Sequence, residues 1–118
     1  MDGEISVSEL AALLEEGVDV EIVDIRSPAE YERGHVPGSR NIPFAELPSR
    51  VEELNGADRV VTICPHGKAS VQAARLIASY EGATGTVESL VAGIEGWQEA
   101  DEPLASEEST SPDADAPF

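Results

Sequence analysis

The sequence has a single cysteine, Cys64, among its 118 residues. One cysteine excludes an internal disulfide framework and a multi-cysteine zinc site, and with only two histidines we predict no metal site. No apolar run approaches the roughly 20 residues that span a bilayer. The first residues contain neither a basic segment nor an apolar one, so we expect no secretory signal. These absences favour a cytoplasmic protein.

Basic residues are also scarce. Seven Lys plus Arg stand against 24 Asp plus Glu, which gives a net charge of −17. This charge argues against nucleic-acid binding, which needs cationic groups, and against docking on an anionic membrane. Only one base, Lys68, is a lysine, and such an acidic surface favours a protein that works in high salt, where self-repulsion is screened. The alternative is an acidic face for a basic partner.

The chain length predicts one domain, and a hydrophobic content of 41% is enough for a packed core. Acidic residues are concentrated at the end, where residues 101–118 hold six acids and no base. The hydrophobic periodicity stops near residue 100. We therefore predict a folded domain over residues 1–100 and a disordered acidic tail over 101–118.

Strand and helix patterns alternate along the domain. The Ser6 and Ser27 positions, each with a glutamate three residues later, predict two helix starts, the second reinforced by Pro28. Further helices are predicted over 48–54, 69–80 and 94–100. Strands are predicted over 20–25, 59–63 and 85–90, with an extended piece over 40–42. This alternation predicts an α/β fold in which helices cover both faces of a parallel sheet.

Cys64 directly follows the buried strand over 59–63 and precedes a helix. Ligands bind at the carboxyl ends of the strands in such sheets, and the backbone N–H groups of residues 64–70 can form an anion-binding nest. Gly67 permits the backbone conformation that this requires, and Lys68 and His66 add polar groups. A thiolate there would have a lowered pKa and be nucleophilic. The alternative is that Cys64 is an ordinary buried apolar side chain.

The sequence resembles the rhodanese domain family of sulfurtransferases over roughly residues 4–100. Three segments carry the resemblance, and they occur in the family's order. They are Asp24-Ile25-Arg26 with Glu30-Tyr31, Gly34-His35-Val36-Pro37-Gly38-Ser39 and Asn41-Ile42-Pro43; Cys64-Pro65-His66-Gly67-Lys68-Ala69-Ser70; and Leu90-Val91-Ala92-Gly93-Ile94-Glu95-Gly96-Trp97.

This resemblance implies a three-layer α/β/α fold with a mostly parallel sheet of about five strands. It also implies that Cys64 accepts a sulfane sulfur as a persulfide, from thiosulfate or another donor, and passes it to a thiol or a protein acceptor. The persulfide is itself the covalent intermediate, so no cofactor is expected. The loop expected to bind the substrate and the persulfide consists of His66, Gly67, Lys68, Ala69 and Ser70.

Several residues of these segments allow more than one role. We predict that Asp24 and Arg26 support the scaffold, that His35 braces a turn and that Trp97 anchors the core. For His66, loop bracing and substrate contact are both open. Many family members carry an arginine where this chain has Ala69, which leaves the choice of substrate open. Lys68 would then bind the sulfonate end of thiosulfate as a point charge.

Two alternative functions remain. The first is a sulfur carrier or interaction module that delivers persulfide sulfur to a partner protein without rapid turnover. The second is a cysteine phosphatase or arsenate reductase. A phosphatase loop has an arginine six residues after its cysteine, and this sequence has Ser70 there. Without that guanidinium, phosphoryl transfer is poorly supported.

Overall fold

Serine caps begin the first two helices, as predicted. The Ser6 hydroxyl accepts the Glu9 N–H at 3.1 Å, and the Glu9 carboxylate accepts the Ser6 N–H at 3.0 Å. Ser27 and Glu30 form the same reciprocal pair before the second helix. Each cap satisfies N–H groups that the first turn leaves open and contributes about 1 kcal/mol.

The structure is a computed structural model that describes residues 3–80, 85–102 and 104–105. Within these residues, strands and helices alternate along most of the chain. In chain order they are β1 (Gly3–Ile5), α1 (Val7–Glu15), β2 (Glu21–Asp24), α2 (Pro28–Arg33), β3 (Arg40–Asn41), α3 (Leu47–Arg50), β4 (Arg59–Ile63), α4 (Ala69–Ser79), β5 (Thr86–Leu90) and α5 (Gly93–Glu99).

The five strands form one sheet in the order β1-β5-β4-β2-β3, and every neighbouring pair is parallel. All the strands therefore place their carboxyl ends at the same edge. The central strand is β4, flanked by β5 and β2, so the residue that follows β4 lies in the middle of that edge. This position belongs to Cys64.

The hydrophobic core is split between the two faces of the sheet. On one face, the apolar residues of β4 and β5 pack against α3 and α4, with Leu47 and Ile77 fully buried. On the other face, Leu10 of α1 and Trp97 of α5 cover the sheet. These layers confirm the predicted α/β/α fold and the role of Trp97 as a core anchor.

Two elements differ from the predictions. Strand β1 was not predicted, because it is only three residues long and Ile5 is its one buried side chain. It forms an edge of the sheet by pairing with β5. The helix predicted over 48–54 is divided into α3 and a 3₁₀ turn at Val51–Leu54. Arg50 interrupts it with φ −118° and ψ 3°, although Val51 and Leu54 are buried as predicted.

Within the described residues, the chain beyond α5 pairs with the domain at Ala105. Ala105 and His35 exchange backbone hydrogen bonds of 2.8 and 2.9 Å as an isolated antiparallel bridge. The rest of the predicted tail, Pro103 and residues 106–118, lies outside the described residues, so its predicted disorder stays a prediction. No helix in the described parts of the chain has both the length and the apolar character to cross a membrane.

Candidate active site

Cys64 lies just past β4 and only 2% of its surface is exposed. The chain then turns through Pro65–Lys68 before α4 begins at Ala69. The loop bends back around the sulfur because Gly67 adopts φ +86°, a left-handed conformation that glycine adopts without strain. The predicted cysteine loop therefore lies at the middle of the carboxyl edge of the sheet.

Hydrogen-bond donors surround the Cys64 sulfur. The Gly67 N–H donates to Sγ at 3.0 Å, and the Ser70 hydroxyl oxygen lies 3.3 Å from Sγ. Burial by itself raises the pKa of the Cys64 thiol. The hydrogen bonds from the Ser70 hydroxyl and from the Ser70, His66 and Gly67 backbone outweigh this cost and lower the pKa below its usual range. The site therefore favours a thiolate, which is the nucleophilic form of cysteine.

Two further hydroxyl groups hold Ser70 in place beneath the cysteine. The Ser70 Oγ lies 2.6 Å from the Ser89 Oγ of β5, and the Thr62 hydroxyl donates to the Ser70 carbonyl oxygen at 2.7 Å. All three residues are fully buried. Thr62 and Ser89 are register partners on adjacent strands, so the sheet itself sets their spacing.

The start of α5 supports the loop from the other side. The Ile94 and Glu95 N–H groups donate to the carbonyl oxygens of Cys64 at 2.9 Å and Pro65 at 3.2 Å. This close approach requires Gly93, because a Cβ atom there would lie 2.1 Å from the Cys64 oxygen. Gly93 also has φ +58°, so a side chain would be strained as well as crowded.

The His66 and Lys68 side chains of the loop face the solvent. The His66 imidazole is exposed, and its Nδ1 lies 3.2 Å from Glu95 Oε1. This contact supports the loop-bracing role for the imidazole, while the His66 backbone helps to lower the pKa of the Cys64 thiol. Lys68 is exposed and, among the described residues, forms no ion pair. Its ammonium group is therefore available to an incoming anion, as is required for the predicted sulfonate contact.

Asp24 and Arg26 form a buried ion pair at the carboxyl end of β2, next to β4. The Arg26 Nη2 lies 2.8 Å from Asp24 Oδ2 and donates to the Gly34 carbonyl oxygen at 2.7 Å. The Asn41 side-chain amide ties the same corner to β3 by donating to the Asp24 and Arg26 carbonyl oxygens, both at 3.0 Å. These contacts agree with a scaffold role for both residues.

His35 also has a structural environment. Its side chain is buried, its ring stacks on Tyr31 with the centroids 3.8 Å apart, and its Nδ1 lies 2.7 Å from the Tyr31 carbonyl oxygen. This agrees with the predicted bracing of a turn.

Sequence reasoning missed Ser89 and the functional importance of Gly93. Ser89 lies on the same face of β5 as the buried Val87, so a polar residue at a core position was the available signal. The role of Ser89 depends on β5 lying beside β4, because this pairing brings Ser89 into contact with Ser70, 19 positions earlier in the chain. Gly93 belongs to the third segment of the family resemblance, Leu90–Trp97, but its contact with Cys64 is visible only in three dimensions.

The arrangement suits chemistry on sulfur. N–H and O–H groups surround the buried Cys64 sulfur, and such donors can stabilise both a thiolate and an anionic sulfur carried on Cys64. The position where a phosphatase has its arginine holds Ser70, and the Ser70 hydroxyl already contacts both Cys64 and Ser89. The loop therefore lacks the guanidinium that phosphoryl transfer uses.

Comparison with known proteins agrees with this geometry. A sulfurtransferase of Allochromatium vinosum is 32% identical over 108 residues, which cover 92% of this chain and 99% of that protein. The thiosulfate sulfurtransferase GlpE of Pseudoalteromonas translucida is 32% identical over 96 residues, or 81% and 89% of the two chains. The solved structure of the human single-domain sulfurtransferase TSTD1 has a TM-score of 0.70 and 30% identity, covering 81% of this chain and 95% of that chain.

Other curated relatives are longer proteins. This chain spans 39% of YrkF of Bacillus subtilis, whose name describes a candidate sulfur carrier, and 43% of another relative. The family model described as a rhodanese-like domain matches residues 6–100. This range includes the helices α1 to α5 and every described strand except β1. The chain belongs to the rhodanese-like domain family.

Proposed function

We propose that this protein is a sulfurtransferase that moves a sulfane sulfur from thiosulfate to a thiophilic acceptor through a persulfide on Cys64. Sulfurtransferase activity in general is supported by the single-domain relatives. The observation that carries the finer proposal is the Cys64 sulfur, held in a cradle of backbone N–H groups and the Ser70 hydroxyl, with a lowered pKa.

The proposed reaction has two displacement steps. In the first, the Cys64 thiolate attacks the outer sulfur of thiosulfate, and a new S–S bond forms. The S–S bond of thiosulfate breaks, and its electron pair leaves with sulfite. In the second, an acceptor such as cyanide or a thiolate attacks the terminal persulfide sulfur, and the Cys64 thiolate is released. Charge and electrons balance in both steps, so neither an outside oxidant nor a cofactor is needed.

The chain's own groups have distinct roles in this proposal. The His66, Gly67 and Ser70 backbone, together with the Ser70 hydroxyl, stabilises negative charge on the cysteine and then on its persulfide. Lys68 attracts the dianionic donor to a domain that is otherwise strongly acidic. In the cell, the acceptor would be a small thiol or a protein thiolate, and we expect the protein to act in the cytoplasm.

A sulfur carrier is the second candidate, and the longer relative named as a candidate carrier favours it. The two functions differ in turnover. An enzyme forms many equivalents of thiocyanate per protein from excess thiosulfate and cyanide, whereas a carrier releases at most one equivalent rapidly and then continues slowly.

The test is a steady-state thiocyanate assay in high-salt buffer, with Cys64→Ser as the matched variant. We expect multiple turnovers for the wild-type protein and none for Cys64→Ser. Retained activity in Cys64→Ser would refute the nucleophile assignment. A burst of no more than one equivalent, abolished in Cys64→Ser, would instead identify the carrier.

A further inference from the structure

Three buried groups form a continuous hydrogen-bonded path from the cysteine into the sheet. The Cys64 Sγ lies 3.3 Å from the Ser70 Oγ, which lies 2.6 Å from the Ser89 Oγ. Cys64 is 2% exposed and both serines are fully buried. Among the described residues, Ser70 is the one partner of the Ser89 hydroxyl. A buried polar pair of this kind is costly unless its hydrogen bonds are satisfied.

The direction of these hydrogen bonds follows from counting hydrogens. Each serine hydroxyl has one hydrogen, and a thiolate can only accept. With Cys64 ionised, Ser70 donates to Sγ, so its contact with Ser89 must be donated by Ser89. Every hydroxyl hydrogen then has an acceptor.

The opposite direction leaves one hydrogen unpaired. If the Cys64 thiol donates to Ser70, Ser70 donates to Ser89, and the buried Ser89 hydrogen has no acceptor among the described residues. The path is therefore fully satisfied when all of its donors point towards the sulfur.

We propose that Ser89 is a positioning residue for the sulfur-transfer reaction: its hydroxyl donates to Ser70 and so fixes the Ser70 hydroxyl as a donor to the Cys64 sulfur. This inference rests on the proposed function for its consequence in catalysis. Its physical core, the control of the cysteine's ionisation by Ser89, does not depend on which sulfur donor is used.

The direct test is the pKa of the Cys64 thiol, measured from the pH dependence of its alkylation by iodoacetamide. The chain has one cysteine, so the reaction reports this site alone. We expect Ser89→Ala to raise the pKa by about 0.5 to 1 unit, the effect of losing one hydrogen bond in the path. At a pH below both pKa values, alkylation would slow by about three- to tenfold. Ser89→Thr, which keeps a hydroxyl, should restore most of the difference.

A double-mutant cycle separates positioning from general structural damage. Because Ser89 acts through Ser70, Ser89→Ala should produce little further shift in a Ser70→Ala background. The matched control is Ser39→Ala. It removes another buried hydroxyl, which donates to the Val36 carbonyl oxygen at 2.7 Å. Ser39 lies just before β3, an outer strand of the sheet that β2 separates from β4. We expect it to leave the thiol pKa unchanged.

Thermal unfolding establishes that each variant is folded before its titration. A variant without a transition is titrated in sucrose, which stabilises the folded state through exclusion from the protein surface. An unchanged pKa in Ser89→Ala, an equal shift in the Ser70→Ala background, or an equal shift in Ser39→Ala would overturn the proposal. Failure of the wild-type protein to accept sulfur from thiosulfate would refute the proposed function and leave this titration valid.

Discussion

Gly93 lies so close to the cysteine loop that a side chain at this position has no room. A Cβ atom at residue 93 would lie 2.1 Å from the Cys64 carbonyl oxygen and 2.8 Å from the Gly67 nitrogen, whereas real Cβ contacts essentially never fall below 3.0 Å. The Gly93→Ala substitution therefore requires the loop, the helix α5 or both to move by about 1 Å, a displacement that can cost about 100-fold in rate when it reaches a reacting group.

The expected effect on stability has two parts. The left-handed backbone at Gly93 costs an alanine about 1 to 2 kcal/mol, and the overlap with the loop costs about 1 to 3 kcal/mol more. We therefore expect Gly93→Ala to lose roughly 2 to 5 kcal/mol of unfolding free energy. In the folded fraction, kcat/KM for thiosulfate should fall by about 100-fold because the donor groups no longer surround the sulfur.

Gly17→Ala is the matched control, because Gly17 also has a positive φ, +75°, but a Cβ there would have no atom within 4 Å. It should lose only the backbone part, about 1 to 2 kcal/mol, and keep its kcat/KM. Urea unfolding and the thiocyanate assay measure both quantities. Wild-type kcat/KM in Gly93→Ala, together with a stability loss no larger than that of Gly17→Ala, would refute the packing argument.

Three further predictions follow from charge. Asp24→Asn should cost about 3 to 5 kcal/mol in urea unfolding, because it leaves the Arg26 guanidinium buried without its counter-ion; a loss below about 1 kcal/mol would contradict the scaffold role. Lys68→Ala should raise the KM for thiosulfate about three- to fivefold with little change in kcat, and an equal rise in the exposed-cation control Arg75→Ala would assign the effect to net charge alone. The unfolding free energy should rise as KCl increases from about 0.1 to 1 M, which shortens the screening length from about 10 to 3 Å. An unchanged value would refute the high-salt hypothesis.

Local signals made much of the fold predictable. Ser6 and Ser27 caps set two helix starts, and the β-branched run at Arg59–Ile63 formed the predicted strand with the same bounds. These features depend on residues within a few positions of one another, where capping and periodicity act directly. Strand β1 escaped prediction because three residues carry too little periodicity, and its pairing with β5 spans most of the domain.

The candidate site was predictable only in part. Cys64 and the backbone cradle follow from one strand–loop–helix segment, so sequence order alone indicates them. The contributions of Ser89 and Gly93 depend on β5 lying beside β4 and on α5 packing under the loop. Such contacts join residues far apart in the chain, and no local pattern of residue types specifies them.

The central claim is that Cys64 carries the transferred sulfur, and intact-mass measurement tests it most directly. The wild-type protein and Cys64→Ser are incubated with thiosulfate in high-salt buffer. The intact mass of each is measured by mass spectrometry before and after cyanide is added. The account predicts a gain of one sulfur atom in the wild-type protein, its loss on cyanide addition, and no gain in Cys64→Ser. No gain in folded wild-type protein, or an equal gain in Cys64→Ser, would contradict it.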